Sequence, residues 1–316
     1  MSVERSAGIL LPISSLPSNY GIGTLGEEAY NFVDFLEKCK MKYWQILPIG
    51  PTSYGDSPYQ SFSSCACNPY FIDLDVLVQE GLLEKEDLKD LKEFNPAYVE
   101  YWYIYETRFD ILRKAYQRGF KKDAKQFKKY YQNNKSWLED YGLYMAVKNY
   151  FGMVSWLDWP DEGIRLRKKQ ALKKYHEELI DDVHFYQYLQ YLFYQQYSRL
   201  RAYAHSKNIK IIGDLPIYVA LDSADVWANP KQFQLNEKNI PVEVAGVPPD
   251  YFSEDGQLWG NPLYDWDKMK KDGYKFWINR VEGCSKYYDV IRIDHFRGFE
   301  SYWAVPYGDK TARNGR

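Results

Sequence analysis

The chain has 316 residues, of which 45% are hydrophobic and 27% are charged, and these fractions are those of a globular protein that folds in water. Its formal net charge is −2, which excludes a protein built mainly to neutralise nucleic-acid phosphates. Residues 1–8 contain no apolar run and no later stretch has the length of a membrane span, so we expect no signal peptide, no membrane association and no nucleic-acid partner.

The first predicted elements are a helix and a strand. Residues 27–38 have helical apolar spacing and lead into YWQILPI at 43–49, an apolar run that predicts a buried strand. From about 75 to 179 the sequence consists of charged helical segments, which predicts a helical insertion. Its basic stretches, 108–135 and 165–174, alternate with apolar residues, which favours solvated helix faces over a nucleic-acid site.

Two further pairs of helix and strand follow. A helix over about 181–206 precedes a strand at 209–213, and a helix over about 267–286 precedes a strand at 289–294. Between these pairs, residues 229–265 are rich in Gly, Pro and aromatic residues, and a stretch of this kind is typical of a lid or binding loop. Repeated units of strand and helix predict an α/β fold with a parallel sheet.

The four cysteines, Cys39, Cys65, Cys67 and Cys284, are few and irregularly spaced. Two of them, Cys65 and Cys67, are too close for an unstrained disulfide, and no second pair completes a tetrahedral metal site. We therefore interpret all four as free thiols of a cytoplasmic protein and expect no metal and no other cofactor.

Acidic side chains follow three of the predicted strands, at Asp56, Asp214 and Asp294. An aspartate after a strand is as often a helix N-cap, but carboxylates at the carboxyl ends of barrel strands converge on one mouth. Arg292 lies two residues before Asp294, on the same side of a strand, and a guanidinium there favours the ionised carboxylate that a nucleophile needs. His295 can hold a sugar hydroxyl, although a lone histidine is more often structural.

Aromatic residues make up 18% of the chain, including 31 tyrosines. Aromatic faces stack on sugar rings, while Tyr and Trp also carry a hydrogen-bonding edge, so the excess fits a carbohydrate site. A tyrosine-rich core is the alternative interpretation, and it applies to most of these residues.

Several long blocks of the sequence resemble those of amylomaltases, the 4-α-glucanotransferases of the α-amylase clan. The blocks are GILLPISSLPSNYGIGTLG at 8–26, GDSPYQSFSSCACNPYFIDL at 55–74, IIGDLPIYVALDSADVW at 211–227, VPPDYFSEDGQLWGNPLYDW at 247–266 and VIRIDHFRGFESYWAVP at 290–306. The resemblance runs in order from about residue 8 to residue 316.

The resemblance implies a (β/α)8 TIM barrel of which only the N-terminal part is present. Residues 1–74 would begin the barrel, 75–180 would form the helical insertion, and 181–316 would continue the barrel, with the lid at 229–265 and the nucleophile strand at 289–294. The remaining strands would be absent. The implied function is transfer of α-1,4-glucan segments between maltodextrins, starch or glycogen chains, with glucose or maltose as acceptors, through a covalent glucosyl-aspartate.

The resemblance also assigns roles to residues. Asp294 matches the nucleophile and Arg292 its partner. Two further positions, Asp214 and His295, match donor-side contacts. The other substrate-binding positions that it implies are Tyr59, Ser57, Tyr251, Phe252, Gln257, Trp259, Asn261 and, as a second glucan contact, Tyr54. We interpret Asp56 as a turn residue.

Retaining chemistry needs a second carboxyl about 5 Å from the nucleophile, as acid and then as base. The carboxylates after Asp294 are Glu300 and Asp309, and the family does not place its acid at Glu300. The resemblance therefore implies an acid/base Glu and a third carboxylate beyond Arg316, and the 316 residues alone are expected to be inactive. A non-catalytic glucan-binding fragment is the alternative, although the pair of Arg292 and Asp294 favours enzymatic ancestry.

Overall fold

The computed structural model describes residues 5–95 and 97–316, and of Tyr54 it describes the backbone alone. The strands in chain order are β1 (Gly8–Leu10), β2 (Tyr43–Gln45), β3 (Lys210–Pro216), β4 (Glu243–Val247), β5 (Gln257–Pro262), β6 (Val290–Asp294) and β7 (Trp303–Pro306). The helices are α1 (Glu27–Lys38), α2 (Leu74–Gln79), α3 (Tyr101–Gly119), α4 (Ala124–Tyr150), α5 (Glu162–Arg165), α6 (Lys169–Glu178), α7 (Ile180–Ser206), α8 (Ala224–Ala228), α9 (Trp266–Lys271) and α10 (Lys275–Ser285). The expectation for residues 1–8 falls partly on residues 1–4, which lie outside the described residues.

Four strands form a parallel sheet in the spatial order β1, β2, β3, β6, so their order across the sheet is the order in which they occur in the chain. Tyr43 on β2 lies opposite both Gly8 on β1 and Lys210 on β3. The core side of β3 is apolar, and Gly213 at its centre faces the Tyr288 ring so closely that an added Cβ would lie 2.1 Å from ring atoms. The α/β fold with a parallel sheet is therefore confirmed.

Helix α7 holds the loop between β2 and α2 through two buried glutamines. The Gln190 amide accepts a hydrogen bond from the Cys67 N–H at 2.7 Å and donates one to the Cys67 carbonyl at 2.8 Å. Gln196 pairs in the same way with the N–H and carbonyl of Asp73, at 2.8 and 3.1 Å. Each amide satisfies a backbone donor and a backbone acceptor that burial would otherwise leave unpaired, so the loop that carries Tyr59 is anchored at its far end.

A second, antiparallel sheet has the order β5, β4, β7. Its interior is a small apolar cluster of Val244, Val305 and Ala312 with Trp303 packed against it, separate from the main core. Two of its strands, β4 and β5, lie within 229–265, so the prediction of one irregular loop there is wrong. The mixture of Gly and Pro with β-branched residues hid two short strands.

Three other element predictions need correction. Strand β2 ends at Gln45 instead of residue 49; the Ile46 N–H still bonds the Ile212 carbonyl, but Pro48, two residues later, has no N–H with which to continue the ladder. The helix expected over 267–286 is two helices, because Gly273 and Tyr274 both have left-handed backbone angles, with φ of 74° and 59°. Strand β3 runs on to Pro216, so Asp214 lies within the strand instead of after it.

The prediction that the basic stretch beginning at residue 108 is a solvated helix face is also wrong in part. Arg108 is 2% exposed and donates hydrogen bonds to the carbonyls of Tyr20 and Tyr70. It therefore ties α3 to the core instead of facing solvent. Among the described residues, no helix is long and apolar enough to cross a membrane, and the four cysteines are free thiols.

Candidate active site

Two carboxylates meet where the parallel strands β3 and β6 end. In the register of these strands, Asp214 lies opposite Arg292 and Pro216 lies opposite Asp294. Because Arg292 and Asp294 are two residues apart on β6, their side chains leave the strand on the same side. The strand pairing therefore brings Asp214, Arg292 and Asp294 into one group.

Arg292 bridges the two carboxylates. Its Nη1 lies 2.7 Å from both Oδ1 and Oδ2 of Asp214, and its Nη2 lies 2.5 Å from Oδ1 of Asp294. The Asp214 side chain is 1% exposed, whereas that of Asp294 is 37% exposed. One carboxylate is therefore a buried support and the other is open to a ligand.

The electrostatics of this group keep Arg292 in its charged form. Burial acts to lower the pKa of Arg292, but the charges of Asp214 and Asp294 and their hydrogen bonds outweigh it and raise that pKa above its usual value. A permanently charged guanidinium between two carboxylates stabilises both anions. Asp294 is thus a partly exposed carboxylate held in a fixed orientation beside a cation, which is the arrangement that nucleophilic catalysis uses.

Tyr59 joins the group from the loop after β2. Its hydroxyl donates a 2.7 Å hydrogen bond to Oδ2 of Asp214. Burial, followed by the hydrogen bond and charge of Asp214, raises the pKa of Tyr59 to about 12, so the hydroxyl stays protonated at neutral pH. Ser57 accepts a long hydrogen bond, 3.3 Å, from the Tyr59 N–H and shapes the turn that presents this ring.

His295 follows Asp294 with a left-handed backbone, φ 51°. Its ring meets the Trp259 ring edge-to-face, with centroids 4.9 Å apart, and lies 6.5 Å from the Tyr218 ring. A left-handed conformation is uncommon for a non-glycine residue and turns this side chain away from the direction of the strand. The contact places Trp259 of β5 beside the residue that follows the candidate nucleophile.

Two other predicted residues of β5 have different surroundings. Gln257 is exposed and accepts a hydrogen bond from Nε1 of Trp259 at 3.1 Å. Asn261 is 6% exposed, donates to the Val219 carbonyl at 2.9 Å, and accepts a longer bond, 3.3 Å, from Gln60. Its amide is thus occupied by protein partners, which gives Asn261 a supporting position.

Tyr251 and Phe252 lie at the tip of the hairpin between β4 and β5, 98% and 93% exposed. Their rings contact each other, with centroids 5.7 Å apart. The structure does not bring them into contact with the carboxylates; it leaves them as two apolar side chains open to solvent.

Asp56 is not at a strand end, since β2 finishes at Gln45 and Asp56 closes the 3₁₀ turn Tyr54–Asp56. Its φ is 55°, its N–H donates to the Ser53 carbonyl, and its buried Oδ1 has no partner. Burial raises the pKa of this carboxyl. It is a turn residue and does not join the group around Arg292. The side chain of Tyr54 lies outside the described residues.

Sequence reasoning missed three supporting residues. Tyr218 packs beside His295, and Gln60 links the Tyr59 loop to β5. Arg280 on α10, 2% exposed, donates to the carbonyls of Pro216 and Ile217 at 2.7 and 3.0 Å and so fixes the end of β3. The first two lie in the quoted blocks and could have been suspected, whereas a lone arginine in a helix carries no such signal.

No group of three or more His, Cys, Asp or Glu residues that could hold a metal ion is found in the part of the chain that the structure describes.

Comparisons with known proteins agree on one family. The sequence profile of a family described as 4-alpha-glucanotransferase matches residues 11–316. The 4-alpha-glucanotransferase of Clostridium butyricum is 53% identical over 307 residues, 96% of this chain and 63% of that protein. The 4-alpha-glucanotransferase of Thermus thermophilus is 46% identical over 100% of this chain and 63% of its own length.

Solved structures give the same result. An amylomaltase from Streptococcus agalactiae, solved in complex with acarbose, superposes with a TM-score of 0.96 at 43% identity, covering 99% of this chain and 64% of that chain. An amylomaltase from Corynebacterium glutamicum has a TM-score of 0.74 at 20% identity, covers 98% of this chain and 43% of its own, and supports the fold alone. The chain spans about 63% of the length of the curated relatives described above.

Proposed function

The chain belongs to the 4-alpha-glucanotransferase family, and on that premise we propose that the complete gene product transfers α-1,4-glucan segments between maltodextrin chains. The observation that carries the proposal is the group of Asp294, Arg292, Asp214 and Tyr59, joined by contacts of 2.5 to 2.7 Å at the ends of β3 and β6. We also propose that the four parallel strands are part of a (β/α)8 barrel, because their spatial order follows the chain order, as it does in such barrels.

In the proposed reaction, Asp294 is the nucleophile. Its free carboxylate oxygen attacks the anomeric carbon of the donor glucosyl unit, and the glycosidic bond to the leaving chain breaks as its oxygen takes a proton from a carboxylic acid. The resulting ester is then attacked by a hydroxyl of an acceptor glucan, whose proton returns to the same carboxylate, so the configuration is retained. Arg292 keeps Asp294 ionised and oriented before each cycle.

Asp214 is a poor candidate for the acid. Both of its oxygens are occupied, by the guanidinium that it shares with Asp294 and, on Oδ2, by the Tyr59 hydroxyl, and its side chain is 1% exposed. We propose that Asp214 instead contacts the donor sugar and supports Tyr59. The expectation that the acid is a Glu beyond Arg316, and that the 316 residues alone are inactive, stays a prediction.

The remaining predicted residues divide into two sides of the cleft. We propose that Tyr59, Ser57 and His295 contact the donor sugar, with the Tyr59 ring stacking against it. On the acceptor side, the site would be covered by Tyr251, Phe252, Gln257 and Trp259. Asn261 would hold β5 in place through its hydrogen bonds to the protein. Tyr54 keeps its predicted role as a second glucan contact.

Transfer instead of hydrolysis follows from exclusion of water. The glucosyl ester can react with water or with a sugar hydroxyl, and aromatic side chains over the acceptor position disfavour water. Tyr251 and Phe252, 98% and 93% exposed without a ligand, are apolar surface that a bound glucan chain can cover. Glucose, maltose and longer dextrins are the proposed acceptors; a cytoplasmic location stays a prediction.

The proposal is tested by incubating the complete gene product with maltotriose and separating the products by chromatography. Transfer produces glucose together with dextrins longer than maltotriose, whereas hydrolysis produces glucose and maltose alone. Binding of maltotriose without any turnover would favour the alternative of a glucan-binding protein. If the complete gene product neither converts nor binds maltotriose, both the transferase and the glucan-binding protein are contradicted.

A further inference from the structure

We propose that Arg313 is a positioning residue that holds the hairpin tip (residues 248–256) through Asp255, and that this contact sets the partition of the glucosyl unit between sugar acceptors and water. The inference rests on the proposed function, because the hairpin tip carries Tyr251 and Phe252. It adds to that function a residue outside the group of Asp214, Arg292 and Asp294.

The hairpin tip is internally ordered by its own hydrogen bonds. Oδ1 of Asp250 accepts the N–H groups of Phe252 and Ser253, both at 2.9 Å. The Ser253 hydroxyl donates to the Gly256 carbonyl at 2.7 Å. These bonds close the tip on itself, so the direction of its two exposed aromatic rings depends on how its base is held.

The base of the tip is narrow. Gly256 has a φ of 66°, and an added Cβ there would lie 2.3 Å from the Val247 carbonyl oxygen. Beside this point runs the segment we call the strut (residues 309–316), whose Ala312 N–H donates to the Asp255 carbonyl at 2.9 Å. The strut is therefore in backbone contact with the last turn of the tip.

Arg313 adds a side-chain contact at the same place. Its Nε lies 2.7 Å from Oδ1 of Asp255, and its Nη2 lies 3.7 Å from Oε2 of Glu254. Thus one cation faces both carboxylates at the base of the tip. The next residue toward the chain start, Ala312, is fully buried in the small cluster under the antiparallel sheet.

The contact of Arg313 with Asp255 matters because few apolar contacts hold the hairpin tip. Ala245 and Ala304 anchor the antiparallel sheet in the main core, whereas the small cluster that contains Ala312 lies beside the tip, whose own Tyr251 and Phe252 bury almost no apolar area. An exposed ion pair is weak, but a weak contact can shift the orientation of a segment that few other contacts hold. Loss of Arg313 is expected to leave the fold intact while loosening the tip.

The test compares variants of the complete gene product in two assays. The first measures the ratio of transfer to hydrolysis with maltotriose as donor and glucose as acceptor, with the acceptor KM and the turnover of hydrolysis determined separately. The second measures the initial rate at which chymotrypsin cleaves after Tyr251 and Phe252, a direct readout of tip exposure that needs no activity.

The variants are Arg313→Ala, Asp255→Asn and the charge exchange Asp255→Arg with Arg313→Asp. The matched control is Arg316→Ala, which breaks an ion pair of the same strut with Glu243, at 3.0 Å, without touching the tip. We expect both single variants to lower the transfer ratio and to speed cleavage by up to about five-fold, the range of an exposed ion pair. The charge exchange restores both values, and the control leaves them unchanged.

A transfer ratio that stays the same in Arg313→Ala, or that falls equally in Arg316→Ala, overturns the proposal, as does a charge exchange that restores nothing. A structural defect would lower transfer and hydrolysis together, whereas the proposed role changes their ratio. If the unaltered protein makes no dextrins longer than maltotriose, the proposed function fails, and the proposed effect on the partition fails with it. The chymotrypsin cleavage rates alone then decide whether Arg313 holds the tip.

Discussion

Nη1 of Arg292 on β6 lies 2.7 Å from both carboxylate oxygens of Asp214 on β3, so two adjacent parallel strands are joined at their carboxyl ends by one ion pair. The Asp214 side chain is 1% exposed, whereas that of Arg292 is 46% exposed. The anion is therefore the buried partner, and its stability depends on the cation that faces solvent.

Replacing Arg292 with Met should destabilise the fold. Asp214 would keep the Tyr59 hydroxyl but lose its cation; because Arg292 is 46% exposed, the loss should be near that of a buried polar group without a partner, about 1–3 kcal/mol. The free energy of unfolding in urea measures this loss, and Arg292→Lys should lose less because it keeps the charge. Arg316→Met, an exposed ion pair, serves as the control and should change stability by less than about 0.5 kcal/mol. Equal values for Arg292→Met and Arg316→Met would contradict the pairing.

Replacing Asp294 with Asn should remove the nucleophile while leaving the fold in place. The turnover of maltotriose by the complete gene product should fall on the order of 10⁴-fold or more, because a neutral amide cannot form the glucosyl ester. Maltotriose binding, followed by calorimetry, should persist. Retention of more than a tenth of the transfer activity would show that Asp294 is not the nucleophile.

Replacing Tyr59 with Ala should weaken the transition state for transfer. The variant loses a stacking surface and a hydrogen bond to Asp214, together about 1–3 kcal/mol in kcat/KM. Tyr59→Phe separates the two contributions, since it keeps the ring and removes only the 2.7 Å contact. Kinetics of both variants on maltotriose provide the measurement, and unchanged constants in Tyr59→Ala would place this ring outside the donor site.

The raised pKa of Tyr59 predicts a specific alkaline behaviour. The pKa is 10.0 for an ordinary tyrosine and about 12 in the folded chain, so folding favours the protonated hydroxyl. Its contribution to stability is fully present below pH 10 and is lost as the pH rises from 10 to 12. The difference in unfolding free energy between the unaltered protein and Tyr59→Phe should therefore shrink over that window. A difference that does not vary with pH would mean that the hydroxyl titrates normally.

Two glycines predict opposite effects of the same substitution. In Gly213→Ala the new Cβ would lie 2.1 Å from the buried Tyr288 ring, and such overpacking costs about 1–3 kcal/mol. In Gly283→Ala, within α10, the new Cβ would meet only the Cys65 sulfur at 3.7 Å, so the helix should gain about 0.5–1 kcal/mol. Thermal melts of both variants decide the matter; two shifts of the same sign would contradict the packing around β3.

Local pattern predicted part of the fold well. The helix at 27–38 has the observed bounds, and the helix expected at 181–206 begins one residue earlier, because a three- and four-residue apolar spacing marks a packed helix face directly. Strands β4 and β5 were missed, since five or six residues interrupted by Gly and Pro show too little alternation. The break between α9 and α10 was missed for another reason: tyrosine at 274 gives no sign of a left-handed backbone.

The sequence by itself determined the family and the parallel α/β character, and it supplied the side chains on which the proposed chemistry depends, because the patterns that indicate them are formed by residues that are neighbours along the chain. Only the tertiary structure decided which of those side chains act together. The Tyr59 hydroxyl meets a carboxylate 155 residues away, and Arg292 faces Asp214 rather than Asp56 because the register of β3 and β6 places them opposite each other. Strand register depends on packing and turn geometry over the whole sheet. The spacing of residues along one strand does not reveal its register with the next strand.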